Sequence, residues 1–186
     1  MKRLAMMTLA LVLGIATALT AGYFGDPKPQ TVQARVQWAE VYQTPGGLVA
    51  GADLIVVARH VTARPGRVVG ATPFTYNGFE IERLIKGAHA GKDLIIEQTG
   101  GRMPDGVLLS IEDGGAFQPG RSYLLFLKAQ AGNGVYYQIN HHARYEIGSD
   151  GLLRGVDPED RVVAAFEGQE ARHVVEQVEH RGRLSQ

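Results

Sequence analysis

The stretch Tyr123-Leu124-Leu125-Phe126-Leu127 contains five consecutive apolar residues, and two of them are aromatic. A proline-glycine turn signal at positions 119–120 precedes it. Apolar and aromatic residues that are bracketed by turn residues are typical of a buried β-strand. We therefore predict a central strand here.

Several other apolar segments on both sides of this stretch have the length and the flanking residues of strands. They are residues 53–58, 74–86, 94–97, 107–111, 135–139 and 145–147. The short connection at residues 87–91 predicts a hairpin between residues 79–85 and 94–97. Because no helical stretches alternate with these strands, the pattern indicates a mainly β domain, built as a small antiparallel barrel or sandwich.

The remaining segments are less regular. Residues 33–42 fit either a strand or a helix. Proline and glycine predict a turn at residues 44–47 and a loop at residues 64–73, and residues 48–52 have room for one helical turn at most. Near the end of the chain, Ala171, Val174, Val175 and Val178 follow the spacing i, i+3, i+4, i+7. This spacing predicts one C-terminal helix over residues 169–181 that packs an apolar stripe on the strands.

The start of the chain predicts export. Lys2 and Arg3 precede residues 4–24, which contain no charged residue. Such a segment is a signal peptide, cut after Ala18 or Ala21, or an uncut N-terminal membrane anchor, and in both cases the rest of the chain lies outside the cytoplasmic membrane. We expect a linker at residues 25–30, followed by one domain at residues 31–186.

Composition and motifs exclude several functions. The chain has 186 residues, no cysteine, and 19 basic against 19 acidic residues. Disulfides and thiol chemistry are therefore excluded, and the balanced charge gives no reason to expect nucleic acid as a partner. The sequence has no G-x-S-x-G elbow and no phosphate-binding glycine motif. We expect no cofactor, no catalytic residue set and no nucleotide site.

Two groups of residues are candidates for binding. His141 and His142 are adjacent, and two imidazoles together with a nearby carboxylate can bind a transition-metal ion. Adjacent residues of a strand point to opposite faces, however, so the pair could share an ion only in a loop or bulge. The alternative interpretation is a solvated pair of histidines in a turn. The second group is a local basic cluster, which could bind an acidic polymer or an acidic protein surface. The alternative interpretation is that these residues form a solvated hairpin loop that keeps the domain soluble. Its members are Arg59, His60, Arg64 and Arg67.

The order of four segments resembles a known family. The first segment is a strand that follows Ala-Asp, at residues 52–58, and the second is a strand that ends in Lys-Gly, at residues 79–87. The third is a strand that follows Gly, at residues 91–96, and the fourth is the motif F-x-x-G-x-x-YLLFL, at residues 117–127. This layout is similar to that of the netrin-like domains related to tissue inhibitors of metalloproteinases. The resemblance covers residues 52–127 and implies an OB-like five-stranded barrel with an added helix. Protease inhibition, which needs an N-terminal cysteine in that family, is not carried over.

Together these observations predict an exported, noncatalytic binding module of mainly β structure: a small antiparallel OB-like barrel with one C-terminal helix, preceded by an apolar export helix. Its ligand is unknown, and a protein or an acidic polymer outside the membrane is the expected partner. The membrane itself is contacted only by an uncut N-terminal segment. The alternatives are an envelope metal-assisted hydrolase that uses His141 or His142, and a subunit that stabilises a larger envelope assembly.

Overall fold

A computed structural model of the chain describes residues 31–34, 42–103, 105–111 and 115–184. These residues form a mainly β structure, with 49% of them in strands and 18% in helices. The predicted export segment and the linker at residues 25–30 lie outside the described residues. Among the residues that are described, no helix is both long enough and apolar enough to cross a bilayer.

The described elements are ten strands, three α-helices and one 3-10 helix. In chain order they are β1 (Thr31–Ala34), α1 (Pro45–Gly51), β2 (Leu54–Val69), β3 (Thr72–Lys86), β4 (Asp93–Thr99), β5 (Gly101–Arg102), β6 (Leu108–Ile111), β7 (Ser122–Ala129), β8 (Val135–Gln138), the 3-10 helix His141–Ala143, β9 (Arg144–Ile147), β10 (Leu153–Gly155), α2 (Arg161–Ala164) and α3 (Ala171–Leu184).

Five strands pair in a closed ring in the order β2, β3, β4, β8, β7 and back to β2. All of these pairs are antiparallel except β4 with β8, which is parallel. The parallel pair departs from the all-antiparallel expectation. It arises because β8 follows β7 in a hairpin and must then close the ring against β4. Strands β9 and β10 extend the sheet beyond β7, and β1, β5 and β6 form a separate small sheet.

The predicted central strand is confirmed, because β7 pairs with β2, β8 and β9, and residues 123–127 are all buried. Residues 54–58 of β2 and residues 123–127 of β7 are apolar on both faces. One face of the two strands contributes to the core inside the ring, which includes Leu54, Val56, Tyr123 and Leu125. The other face packs against the helices in a second core, which includes Ile55, Val57, Leu124 and Phe126.

The predicted C-terminal helix is confirmed as α3, and its four predicted apolar residues are buried in the second core. The turn expected at residues 44–47 is wrong, because α1 begins there. The Thr44 hydroxyl accepts a hydrogen bond from the Gly47 N–H at 3.1 Å, and Pro45 occupies the first turn, where its missing N–H costs nothing. Helix α1 therefore has seven residues and buries Leu48 and Val49.

The loop expected at residues 64–73 is also wrong. Strands β2 and β3 continue to a tight turn at Gly70, which has φ +60°, and Pro65 pairs with Thr75 there. Proline is tolerated because β7 pairs with β2 only as far as Arg59, so the outer edge of β2 beyond that residue has no strand partner within the described residues. We call residues 61–76 the hairpin arm.

Candidate functional site

Two arginines of the predicted basic cluster are paired with acidic residues of neighbouring strands. Arg59 contacts Glu80, and its Nε lies 3.7 Å from Oε1 of Glu82. Arg67 donates from Nε and Nη2 to the two carboxylate oxygens of Glu97, at 2.8 and 2.7 Å. Because Glu97 is buried, the second pair attaches the hairpin arm to β4. The positive charges of both residues are thus compensated within the chain.

The other two members of the cluster lie in different surroundings. Arg64 is exposed, and its guanidinium stacks 5.0 Å from the centre of the Tyr76 ring. His60 is buried inside the ring of strands, with its ring centre 5.0 Å from that of Phe79 and 5.8 Å from that of Phe117. The structure therefore does not bring the four residues into one surface.

The pairing of Arg67 with Glu97 predicts a structural role for this arginine. Replacing it in Arg67→Ala leaves a buried carboxylate without its charged partner, which is costly. We expect the midpoint of thermal unfolding to fall in Arg67→Ala and to stay near the wild-type value in Arg64→Ala, the matched control on the same arm. The double variant Arg67→Ala/Glu97→Leu should regain stability. Equal midpoints for the two single variants would contradict this role.

A cavity of about 500 Å³ lies beside β7, β9 and β10, and we call it the Arg144 cavity. Its lining includes Gln118, Tyr123, Arg144, Glu146 and Arg154. The Tyr123 hydroxyl accepts a hydrogen bond from the Gln118 N–H at 2.9 Å, and burial raises the pKa of this tyrosine. Its hydroxyl is therefore neutral at physiological pH and keeps its proton available for donation.

Arg144 is the unusual residue of the cavity, because its side chain is only 7% exposed. The guanidinium lies 4.6 Å from the centre of the Phe117 ring and donates from Nη1 to the carbonyl oxygen of Gly115 at 3.2 Å. Burial lowers the pKa of Arg144, yet an arginine side chain stays charged at physiological pH. Glu146 acts on Arg144 electrostatically, but no carboxylate of the described residues lies within ion-pair distance of it.

The other charged residues of the cavity already have partners. Arg154 donates to both carboxylate oxygens of Asp150, at 3.1 and 2.6 Å, and Glu146 lies 3.7 Å from Nε of Arg121. A buried charge is costly unless an opposite charge or several hydrogen bonds compensate it. The Arg144 cavity is therefore electrostatically suited to an anionic group.

His141 and His142 lie in the 3-10 helix, not in a strand, and this places their rings on the same side. The ring centres are 3.9 Å apart. Asp160, the N-cap residue of α2, approaches them, with Oδ2 at 3.2 Å from Nε2 of His142. The nearby carboxylate that a shared metal ion needs is thus present, and the three ligand atoms lie within 4.8 Å of one another.

Another hollow of about 500 Å³ runs along the polar side of α3. It is lined by Gln169, Glu170, Arg172, His173 and Glu176, of which all but Gln169 are exposed. No buried charge or unpartnered polar group among the described residues faces this hollow, unlike the Arg144 cavity. We regard it as a solvated helix face.

The sequence did not identify Arg144 or Asp160 as candidate site residues. Arg144 follows the histidine pair directly, but nothing in the sequence shows that its side chain is buried. Asp160 carries a usable signal, because an aspartate before Arg161, Val162 and Val163 has the pattern of a helix N-cap. The sequence matches no protein-family profile. It also matches no curated protein sequence.

Proposed function

We propose that this chain is a noncatalytic binding module that acts outside the cytoplasmic membrane and takes a carboxylate group of an acidic protein or polymer into the Arg144 cavity. The location follows from the charge pattern of the first 24 residues. The single observation that carries the ligand assignment is the buried guanidinium of Arg144, which has no carboxylate partner among the described residues.

The order of strands in the ring supports an OB-like barrel. Numbered along the chain, the five strands of the ring pair in the order 1-2-3-5-4, and the fifth returns to lie parallel to the third. Five-stranded Greek-key barrels of the OB type bind extended ligands on one face and its loops. The resemblance of residues 52–127 to netrin-like domains leads to the same expectation, so two independent lines support the OB-like assignment.

The chemistry of the cavity supports a carboxylate ligand. A planar guanidinium donates several N–H groups in a fixed fork that matches a carboxylate, and such charge-assisted hydrogen bonds are the strong ones. Among the described residues, the Arg144 guanidinium donates to one acceptor, the Gly115 carbonyl oxygen, so donors remain for a ligand. Tyr123 lines the same cavity, and its neutral hydroxyl is a further hydrogen-bond donor.

The test measures binding of a fluorescent hexaglutamate peptide to the full chain by anisotropy, with hexaglutamine as the uncharged probe. Arg144→Met should lower the hexaglutamate affinity at least about tenfold, which is the scale of one lost charge-assisted hydrogen bond. Arg172→Met makes the same change in net charge on the exposed face of α3 and should leave the affinity within about twofold. Failure of the wild-type chain to bind, equal binding of hexaglutamine, or equal affinity in Arg144→Met would reject the proposal.

A metal-assisted hydrolase is the second candidate, and the observation that favours it is the carboxylate of Asp160 beside His141 and His142. Catalytic metal sites commonly use three protein ligands and leave one position for water. This candidate needs a bound metal ion as its first requirement, whereas the binding module does not.

A further inference from the structure

The 3-10 helix brings the side chains of the adjacent residues His141 and His142 close together. The side-chain oxygen of Asn140, the N-cap residue, accepts a hydrogen bond from the His142 N–H at 3.0 Å, which fixes the start of the helical turn. On a strand the two imidazoles would point to opposite faces. On this turn their planes meet at 67° with ring centres 3.9 Å apart, so both rings face the same region.

Asp160 brings a carboxylate to that region in a fixed orientation. Its Oδ1 accepts hydrogen bonds from the backbone N–H groups of Val162 and Val163, at 2.7 and 3.3 Å. Its Oδ2 faces Nε2 of His142 at 3.2 Å. The carboxylate is therefore held by one oxygen, which leaves the other oxygen for a ligand.

His142 presents a buried imidazole whose hydrogen-bonding capacity is unused. Its side chain is 3% exposed, and neither ring nitrogen makes a hydrogen bond with the described residues. Burial of an imidazole without hydrogen bonds is costly, and a metal ion bound to one ring nitrogen would offset that cost.

The distances suit a small divalent ion. Metal–ligand bonds of about 2.0–2.2 Å in tetrahedral geometry place neighbouring ligand atoms about 3.4 Å apart. The His142–Asp160 pair already lies at 3.2 Å, and all three ligand atoms lie within 4.8 Å of one another. Closing a gap of 4.8 Å to about 3.4 Å requires a movement of about 1.4 Å. The Asp160 side chain is 30% exposed, which gives an ion access from solvent.

We propose that His141, His142 and Asp160 bind one divalent transition-metal ion of the Zn²⁺ type through two imidazole nitrogens and one carboxylate oxygen, with a further position open to water or to an external ligand. Nitrogen and carboxylate donors suit Zn²⁺ and its first-row neighbours and do not suit Ca²⁺ or Mg²⁺, which prefer oxygen ligands alone. The proposal is independent of the carboxylate ligand at Arg144.

The test titrates the full metal-free chain with Zn²⁺ by calorimetry and with Co²⁺ by visible absorption, which reports the coordination geometry. We expect one equivalent of each ion to bind, with no tight binding of Mg²⁺. His141→Ala and Asp160→Asn should each weaken Zn²⁺ binding at least about tenfold, because even residues that only orient metal ligands cost 10–100-fold when lost. Asp160→Asn keeps an oxygen that can cap α2, so the fold is expected to persist.

His173→Ala and His180→Ala are the matched controls, because both histidines are exposed on α3. They should leave Zn²⁺ affinity unchanged. Circular dichroism and thermal unfolding establish that each variant is folded before its Zn²⁺ affinity is compared with that of the wild-type chain. The proposal is overturned by the absence of one-to-one Zn²⁺ binding, by loss of binding in the α3 controls, or by unchanged affinity in Asp160→Asn.

Discussion

Phe126→Ala should lower the free energy of unfolding by about 3–5 kcal/mol, the range for deletion of a fully buried phenylalanine side chain. Phe126 is 0% exposed on β7, at the centre of the second core. Its ring lies parallel to that of Phe166, with centres 6.1 Å apart, and meets the Tyr145 ring edge-on at 6.2 Å. The substitution therefore leaves a cavity between a central strand and the segment around α2. Chemical denaturation followed by circular dichroism measures the loss.

Tyr137→Ala is the matched control for this prediction, because it also removes an aromatic ring from a strand of the same sheet. Tyr137 is 42% exposed. We expect a loss below about 1 kcal/mol there, as for a partly solvated side chain. A loss in Phe126→Ala no greater than the loss in Tyr137→Ala would show that the second core does not stabilise the domain as described.

His60→Leu should raise the free energy of unfolding by about 1–3 kcal/mol, which is the cost of burying polar groups without partners. The His60 side chain is 1% exposed, and neither of its ring nitrogens has a hydrogen-bond partner within the described part of the chain. A neutral imidazole carries one donor and one acceptor, and both are lost to water on folding. Leucine has a similar size and fits the apolar surroundings of Phe79 and Phe117. Denaturant unfolding of the two proteins measures the gain.

The same substitution at His89 should have the opposite sign. Its Nδ1 lies 3.3 Å from the Tyr136 hydroxyl, and its Nε2 lies 2.9 Å from the carbonyl oxygen of Asp93. His89→Leu removes both hydrogen bonds and should therefore destabilise the domain by about 1 kcal/mol. If His60→Leu proves as destabilising as His89→Leu, the His60 imidazole makes a contribution within the core that its surroundings do not reveal.

The elements that the sequence predicted are those whose signal is local. The apolar residues of β7, the hairpin of β3 and β4, and the apolar spacing along α3 each depend on neighbours in sequence, and the structure confirms all three. The hairpin arm was missed because Pro65, Gly66, Gly70 and Pro73 are turn residues by local preference. Their presence in strands depends on the open edge of β2, which is a property of the whole sheet.

Only part of the candidate metal cluster could be predicted, because only that part is local in the sequence. His141 and His142 are visible as a pair in the sequence, whereas Asp160 reaches them from a different element across the fold. The parallel pairing of β4 and β8 was not predictable either. The two strands are far apart in the sequence, with β7 between them, and no local pattern indicates that β8 pairs with β4. Arg144 resembles any surface arginine until its burial is known.

Residues 54–58 of β2 and residues 123–127 of β7 are apolar on both faces, so hydrophobicity alone does not determine the alignment of these two segments. In a strand with one solvent-exposed face, a register shift of one residue moves the apolar side chains into water, which is strongly unfavourable. In these two segments, a register shift of one residue would move each side chain from one buried environment to the other. The alignment must then be selected by the shapes of the side chains and by polar anchors at the strand ends, such as the Asp53 carboxylate, whose Oδ2 accepts the Ala129 N–H at 3.0 Å. Random exchange among aliphatic residues in these two strands should therefore yield proteins that collapse readily but differ in how uniquely they pair.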